Sequence, residues 1–416
     1  MFDSNKRVLL HLSLITGLGP ASILRLLIYV CHESHPELMH IGWYELIKYH
    51  NELPLQLVYT LSAAQIAEIT KLKVKDATVV YDMLRTTVLL EEELALIQKY
   101  NITLLTPFDN TFPEELKQIH HPPMVLYCKG EPLVPVAKRL AIVGSRKATD
   151  YAEEVIQSLV PALVGHDWAI VSGGAEGADT MAHHAALKAG GITIAVLGAG
   201  LLTPPFPASN MQLFELIAKQ GGTIVSPFPL RMAADRTTFP QRNRIISGLS
   251  LGSVVVQAAQ RSGALITARF ALEQGRQVFA VPGPVNDELS YGSHYLIKQG
   301  AKLVSSVNDV LEEFGESMVI NDQTALSTKH ISAQPSLSRA TVDAVRSMPD
   351  EALTMVARGM KEQDMCPMLA TLQEPVTIDE LQLKTGMQSE ALQDWLFTLQ
   401  LEGKIKQHFS GTWQRV

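Results

Sequence analysis

The sequence predicts an α/β protein with a mostly parallel sheet, a helical N-terminal domain and a small C-terminal winged-helix domain. Between about residues 140 and 304, short apolar runs alternate with helix-length segments, which is typical of βαβ units. Before this region, apolar side chains recur at helical spacing. After it, helical segments precede a β-ribbon pattern, the order of a winged helix. The predicted core is therefore a mostly parallel, Rossmann-like sheet with helices on both faces.

Residues 1–100 are predicted to form the helical domain, similar to SAM or helix-hairpin-helix domains. Residues 8–30 carry apolar side chains at helical spacing on both sides of Gly17 and Pro20, which predicts two helices joined by a tight turn. A GLGP turn in helix-hairpin-helix modules contacts DNA phosphates through backbone N–H groups. The alternative is an ordinary turn in a helical bundle. The acidic run from Glu91 to Glu93 is expected to face solvent.

Residues 101–314 are predicted to contain a connector followed by the Rossmann-like domain. The connector, up to about residue 130, has short apolar runs with prolines, which suggest strands. Residues 315–363 are rich in polar side chains and are predicted to be a linker, and residues 364–416 the winged helix. The strands predicted for the parallel sheet are 140–143, 168–171, 193–197, 223–226, 254–257, 278–281 and 302–304.

Glycine-rich motifs follow three consecutive predicted strands. Gly144 begins a GSRK motif, Gly173 and Gly174 lie in SGGAEG, and Gly198 begins GAG. Helix N-termini at the carboxyl ends of parallel strands favour anionic groups, and glycine allows the backbone to approach them closely. Three such motifs in succession predict a phosphate-binding edge.

A second motif is strongly basic. Residues 231–244 contain four arginines and one aspartate, against a net charge of −7 for the whole chain. Arginine makes bidentate phosphate contacts, and Phe239 offers a face on which a base can stack. Alternatively, some of these arginines are buried in ion pairs. Ser262 and Thr267 follow the fifth strand and suit either helix caps or ligand contacts.

Several enzyme signatures are absent or misplaced. The sequence has no GxxxxGK[ST] or HExxH motif, and the first turn, GSRKAT, is not a dinucleotide fingerprint. A GxSxG match at 248–252 precedes a strand, whereas a nucleophile elbow follows one. His183 and His184 are expected to be helix residues rather than metal ligands. We therefore expect no catalytic residues, metal or cofactor.

The composition indicates a folded protein without a membrane segment. Hydrophobic residues make up 46% and charged residues 19% of the chain, and no apolar run is long enough to span a bilayer. Cys31, Cys128 and Cys366 have neither CxxC nor zinc-ligand spacing, so free, reduced thiols are expected. These features predict a cytoplasmic location.

The motifs, taken in order, closely resemble the bacterial DNA-processing protein A (DprA/Smf) family. They are IVGSR at 142–146, SGGAEGAD at 172–179, TIAVLGAG at 193–200, FPQRNRIISGLS at 239–250, RSGALITA at 261–268 and VFAVPGP at 278–284. The resemblance implies an extended Rossmann fold in the core. It also implies a homodimeric, non-catalytic protein that binds single-stranded DNA, protects incoming DNA and helps to load the RecA recombinase during natural transformation. The motifs and the residue patterns together give the candidate DNA-binding residues Gly144, Ser145, Arg146, Lys147, Gly173, Gly174, Phe239, Arg242, Asn243, Arg244, Ser262 and Gly263.

The sequence also departs from the family pattern. Pro227 follows Ser226 where the family has glutamate, Gln257 replaces a common acidic residue, and Phe206 replaces a tyrosine. The loop 208–212 lacks the lysine found in many relatives. The missing acidic groups argue against a hydrolase, and the missing lysine removes one expected cation from that side of the DNA path.

Two alternative functions remain open at the level of sequence. A nucleotide phosphoribohydrolase or N-glycosidase would need a carboxylate near the phosphate site, and Glu176 and Asp179 are the candidates, with helix capping as the other explanation. The winged helix could also read duplex DNA. Its third helix, 389–402, carries acidic residues, which favours a protein contact instead.

Overall fold

The structure is a computed structural model that describes residues 4–38, 40–49, 53–133, 138–204 and 206–316, together with residues 381, 396, 405–407 and 413–415. The first hundred residues are helical, as expected. Pro20 is the first residue of the second helix. Backbone N–H groups at this position have no partner within the helix, so the N–H that proline lacks costs no hydrogen bond. The helices are α1 (Ser4–Leu14), α2 (Pro20–Ser34), α3 (Trp43–Leu46), α4 (Ala63–Thr70), α5 (Val74–Leu84) and α6 (Val88–Lys99).

The remainder of the described chain, up to residue 316, builds one nine-stranded sheet with helices between the strands. Its strands are β1 (Thr103–Leu105), β2 (Leu126–Gly130), β3 (Arg139–Val143), β4 (Ala169–Ser172), β5 (Thr193–Val196), β6 (Thr223–Ser226), β7 (Gly252–Val255), β8 (Gln277–Ala280) and β9 (Lys302–Leu303). The helices here are α7 (Glu114–Lys117), α8 (Asp150–Gly165), α9 (Ala178–Lys188), α10 (Met211–Lys219), α11 (Thr238–Gly248), α12 (Gly263–Glu273), α13 (Tyr291–Lys298) and α14 (Val307–Leu311).

The sheet order is β1-β2-β6-β5-β4-β3-β7-β8-β9, and β3 to β9 are parallel. All seven predicted strands of the parallel sheet are present, which confirms the α/β class. The largest difference is β7, predicted at 254–257 and observed at Gly252–Val255. Gln257 stays buried, but its carbonyl accepts a hydrogen bond from the Ser145 amide (2.7 Å) in the turn after β3. The backbone at Gln257 therefore belongs to the loop after β7, which contacts the turn after β3.

The predicted connector differs from expectation. β1 and β2 pair antiparallel to each other, and β2 pairs antiparallel to β6, so this segment extends the sheet. Tyr127 of β2 and Leu230 after β6 also belong to the apolar core of the N-terminal helices. The helical domain therefore packs directly on the antiparallel edge of the sheet.

Alternating side chains of the strands fill a core on each face of the sheet. In β3, Leu140 and Ile142 pack with α8, α9 and α14, whereas Ala141 and Val143 pack with α11, α12 and α13. Such period-two alternation buries both faces of a parallel sheet. The two helical layers hold the strand ends rigidly, which positions the loops that follow them.

The acidic run in α6 was predicted to face solvent, and Glu93 does not. Its side chain is buried, with 6% exposure, and a carboxylate oxygen accepts a hydrogen bond from the Leu230 amide at 2.7 Å. Glu91 and Glu92 are exposed as predicted. The buried amide donor comes from a loop far away in sequence, so the helix pattern alone gave no sign of it.

The C-terminal region is described only in part. Strands β10 (Ile405–Gln407) and β11 (Trp413–Arg415) form an antiparallel ribbon where one was predicted. The predicted linker beyond residue 316 and the helices of the winged-helix domain, apart from residues 381 and 396, lie outside the described residues. Cys31 and Cys128 are buried free thiols, and Cys366 is also outside these residues. None of the described helices combines the length and apolar character that a membrane span requires.

Candidate nucleic-acid interface

A groove of about 610 Å³ lies at the carboxyl ends of the parallel strands. The turns after β3, β4 and β7 meet there because parallel strands end at the same edge of a sheet. The groove brings together nine of the predicted site residues, namely Gly144, Ser145, Arg146, Lys147, Phe239, Arg242, Asn243, Ser262 and Gly263.

The groove is positively charged. Its lining contains five basic residues and one acidic residue, Asp179. The Oδ2 atom of the buried Asp179 carboxylate accepts hydrogen bonds from the backbone amides of Gly173 (3.1 Å) and Ala175 (3.3 Å). Burial raises the pKa of Asp179, while Arg242 and these amides act in the opposite sense. The basic residues are Arg146, Lys147, Arg236, Arg242 and Arg261.

The turn after β3 directs two of these cations outward. The Ser145 amide donates to the Gln257 carbonyl (2.7 Å), and the Ser145 hydroxyl accepts from the Lys147 amide (3.0 Å). Gly144 is required because an added Cβ would lie 2.7 Å from the Cβ of Ala178 on α9. Arg146 and Lys147 are exposed and form no ion pair with any residue in the described ranges. Their charges are therefore available to a ligand.

Arg242, one of the predicted DNA-binding residues, is buried. It is 5% exposed and lies under the groove, where its Nη1 donates to the carbonyls of Gly173 and Val196 at the ends of β4 and β5. Its Nε donates to the Asn243 Oδ1 atom (3.2 Å), and the Asn243 Nδ2 donates to the Gly263 carbonyl (3.3 Å). Burial lowers the pKa of Arg242 to about 10. Arg242 and Asn243 therefore hold the groove floor together.

Two aromatic rings stand at the side of the groove. The Phe239 ring lies 5.5 Å from the Arg146 guanidinium and 5.9 Å from that of Arg242, within cation–π range. The Phe206 ring is 5.7 Å from Phe239, tilted by 55°, and 57% exposed. Gly198 lets Phe239 lie on the backbone, since an added Cβ would come within 2.9 Å of that ring. This aromatic pair offers stacking faces beside the cations.

A second cavity of about 390 Å³, which we call the side cavity, lies across these rings from the groove. Arg146, Arg242, Phe206 and Phe239 line both spaces. The other residues of the side cavity are Gly173, Ala175, Glu176, Gly198, Pro207, Ala208 and Ser209. Gly173 therefore lines the side cavity rather than the groove, whereas Ala175 lines both spaces.

Two predicted site residues lie elsewhere. Gly174 is buried, with φ of +65°, and an added Cβ would come within 2.6 Å of the Phe214 ring. Arg244 follows Arg242 by two residues in α11. Side chains two positions apart on a helix point in directions about 200° apart, so Arg244 points away from the groove. Its Nη1 donates to the His121 carbonyl, and it lines a third space beside the Gly17 turn. Burial lowers the pKa of Arg244 to about 10.

Three basic or aromatic residues that line the groove were absent from the set of predicted DNA-binding residues. Arg236 belongs to the basic motif and Arg261 precedes the helix cap Ser262, so both signals were visible but not singled out. Phe206 was noted only as a replacement for tyrosine. Ser262 does cap α12, where its hydroxyl accepts from the Ala264 amide (3.3 Å), and it also lines the groove.

The enzyme candidates have structural explanations in most cases. Asp179 binds backbone amides, and Ser250 is buried, with its hydroxyl donating to the Ile246 carbonyl (2.9 Å). His183 is buried in α9, with Nδ1 2.7 Å from the Thr193 hydroxyl. Among the described residues, no group of histidine, cysteine, aspartate and glutamate side chains is arranged to hold a metal ion. Glu176 is the exposed carboxylate of the side cavity.

Comparisons with known proteins agree with this architecture. Residues 103–315 match the family model described as DNA recombination-mediator protein A. The chain is 38% identical over 261 residues to DNA processing protein DprA of Bacillus subtilis (strain 168), covering 62% of this chain and 87% of that protein. It is 43% identical over 228 residues to Protein Smf of Escherichia coli (strain K12), covering 54% and 61%.

A solved structure shows a similar fold. The X-ray structure of DNA processing protein A (DprA) from Streptococcus pneumoniae superposes with a TM-score of 0.60 at 33% sequence identity. The match covers 75% of this chain and 99% of that chain. Together, the motifs, the sheet and these matches confirm the family that the sequence predicted: the chain belongs to the DNA recombination-mediator protein A (DprA/Smf) family.

Proposed function

We propose that the protein is a recombination mediator that binds single-stranded DNA, protects incoming DNA and helps to load RecA during natural transformation. The observation that carries the proposal is the groove, which combines exposed cations with the Phe206 and Phe239 rings. Cations bind phosphates of any sequence, and aromatic rings stack on unpaired bases. In a duplex the base faces are already stacked, so this combination favours a single strand.

The binding groove occupies a small part of an acidic protein. The net charge is −7, whereas the groove lining has five basic residues and one buried acid. Association therefore depends on local charge, and added salt weakens it by reducing the gain from counterion release. We expect the affinity to fall steeply with ionic strength.

The test is a fluorescence-anisotropy titration of labelled single-stranded and duplex oligonucleotides at two salt concentrations. Arg146→Ala removes an exposed guanidinium from the groove. We expect it to weaken single-strand binding and to reduce the slope of log affinity against log salt by about one. Glu154→Ala, on the exposed face of α8, is the control for the loss of a charged side chain.

The outcomes separate the possible functions. A salt-dependent preference for single strands that Arg146→Ala abolishes supports the groove as the DNA site. Equal binding by both proteins moves the DNA site to another surface. Turnover of nucleoside monophosphates that disappears in Glu176→Ala would replace the mediator by a phosphoribohydrolase or N-glycosidase.

The remaining parts of the proposal concern partners and location. We propose a cytoplasmic homodimer that contacts RecA, which is supported by membership of a recombination-mediator family. The predicted winged helix at 364–416 has a protein-contact or regulatory role in this proposal, supported by the acidic residues of its predicted third helix at 389–402. Sedimentation of the full chain tests the dimer, and RecA filament formation on single-stranded DNA, with and without the protein, tests the loading.

A further inference from the structure

The third space, of about 410 Å³, lies between the helical domain and the sheet. Its walls are the turn from α1 to α2, the chain just before β2, the loop after β6 and one side of α11. Helix α11 separates it from the groove: Gln241 and Arg244 line the third space, whereas Arg242 and Asn243 line the groove. No described residue lines both. A ligand in the third space would therefore leave the groove free.

The walls of the third space are mainly apolar. Four prolines contribute to them, together with Met124, Phe228 and Met232. Proline has a fixed φ and no N–H group, so it gives a stiff apolar surface. A stiff surface loses little conformational entropy when a ligand binds. Apolar walls with a few polar groups are typical of sites that bury apolar parts of a ligand.

One cation lies among these walls. Of the described residues that line the third space, Arg244 alone is charged. One of its five N–H groups donates to the His121 carbonyl, and Arg244 forms no ion pair with any residue in the described ranges. Burial lowers its pKa to about 10, so it remains charged at neutral pH. A cation removed from water without an anionic partner is unfavourable, and an anionic ligand would stabilise it.

The turn from α1 to α2 borders the same space. Gly17 has φ of +86°, and an added Cβ would meet no atom within 4 Å, so the turn faces open space rather than packed side chains. Gly19, the N-cap of α2, provides no side-chain cap. The first amides of α2 have no partner within the helix, so they too favour an acceptor such as a carboxylate.

We infer that the third space binds the C-terminal end of a partner protein, with the terminal carboxylate on Arg244 and the last apolar side chains against the proline walls. A chain end carries its carboxylate directly beside its last side chain, so one residue satisfies both features of the space. A nucleic-acid strand has a phosphate for every nucleotide, and a single cation among apolar walls would leave most of them unpaired. The inference does not depend on DNA binding in the groove.

The experiment measures the binding of fluorescein-labelled peptides to the full chain by fluorescence anisotropy at neutral pH. The peptides share a glycine-serine segment and end in two residues drawn from valine, leucine, isoleucine, methionine and phenylalanine. We expect at least one of them to bind with a Kd below about 100 µM. The same peptide with a C-terminal amide should bind about tenfold more weakly, because it loses a charge-assisted hydrogen bond.

Met232 offers variants at a partly exposed position, since its side chain lines the third space and is 40% exposed. Met232→Glu should weaken binding of the free-acid peptide about fivefold by charge repulsion, whereas Met232→Lys should not weaken it. Met211→Glu is the matched control, because Met211 is an exposed methionine of α10 outside the third space. Arg244→Gln keeps a donor for the His121 carbonyl and should bring the acid and the amide peptides within about twofold of each other.

Three results would overturn the inference: no peptide binds, the amide binds as tightly as the acid, or Met232→Glu behaves as Met211→Glu does. Weaker binding of a single-stranded oligonucleotide by Met232→Glu, without any peptide binding, would assign the space to nucleic acid instead. Arg146→Ala acts in the groove and should leave the peptide affinity unchanged. Loss of DNA binding and loss of peptide binding therefore test the proposed function and this inference separately.

Discussion

At the scale of single residues, arginines that look equivalent in the sequence have different tasks. Arg146 is exposed beside the Phe239 ring, Arg242 is buried under the groove, and Arg244 donates to the His121 carbonyl. An exposed guanidinium can bind a phosphate at little cost, whereas a buried one must keep its internal partners. Substitutions of Arg146 and Arg242 should therefore separate binding from stability.

Arg242→Ala should destabilise the fold. Without the guanidinium, the carbonyls of Gly173 and Val196 lose their donor and Asp179 loses its neighbouring cation. We expect a loss of about 2–4 kcal/mol in the free energy of unfolding, measured with urea. Arg236→Ala, at an exposed position of the same groove, should change it by about 0.5 kcal/mol or less. Equal free energies of unfolding for the two variants would contradict the proposal that Arg242 holds the floor of the groove together.

His183 should make the fold sensitive to acid. Burial lowers its pKa from 6.5 to about 3. Between these values the unfolded chain binds a proton that the folded chain does not, so stability falls as pH decreases. His121, with a pKa lowered to about 4 mainly by burial, contributes in the same direction. In urea titrations between these pH values, His183→Asn should reduce the slope of unfolding free energy against pH by about 1 kcal/mol per unit. An unchanged slope would mean that His183 titrates normally.

At the scale of elements, α6 joins the helical domain to the sheet. The Glu93 Oε1 atom accepts a hydrogen bond from the backbone amide of Leu230 (2.7 Å), in the loop after β6. Glu92 on the same helix is exposed. The contact is buried, so water cannot replace the lost partner. The attachment of the helical domain therefore depends on a polar contact as well as on the shared apolar core.

Glu93→Ala should weaken this attachment. It leaves the Leu230 amide without its acceptor, and we expect a loss of about 1–3 kcal/mol in the free energy of unfolding. Glu92→Ala changes the same side chain on the same helix and should have little effect. Calorimetry of both variants makes the comparison. A separate unfolding transition of the helical domain at a lower temperature would be the most direct sign of a weakened attachment. Identical melting curves would show that apolar packing alone holds α6.

At the scale of the whole molecule, every described residue that lines the groove belongs to the sheet domain. Its lining residues fall between 143 and 267, and the three largest apolar cores lie between residues 8 and 311. The C-terminal region thus supplies no described residue to the groove. This separation makes the contribution of the C-terminal region to DNA binding measurable.

A chain that ends at residue 316 should fold and should keep its single-strand affinity within about twofold, because the described residues that line the groove lie between 143 and 267. Thermal unfolding and anisotropy titration, each beside the full-length chain, make the test. A much larger loss of affinity, with unchanged unfolding of the sheet domain, would show that residues 317–416 contribute to DNA binding.

The class of fold and the edge of the sheet that carries the site follow from local sequence patterns. Short apolar runs that alternate with helical segments are local patterns, so each strand of the parallel sheet was predictable to within about two residues. The carboxyl ends of parallel strands must meet, so the turns at Gly144 and Gly173 could be assigned to one edge before any contact was known.

Which residues at that edge face a ligand depends instead on how the folded chain packs. Burial depends on partners from distant parts of the chain: Arg242 meets carbonyls after β4 and β5, Glu93 meets the amide of Leu230, and Phe206 meets Phe239. Such pairings leave no periodic trace in the sequence. The sequence could therefore name the basic motif, whereas the packing assigned its arginines to the groove floor, to the ligand surface or to the opposite side of α11.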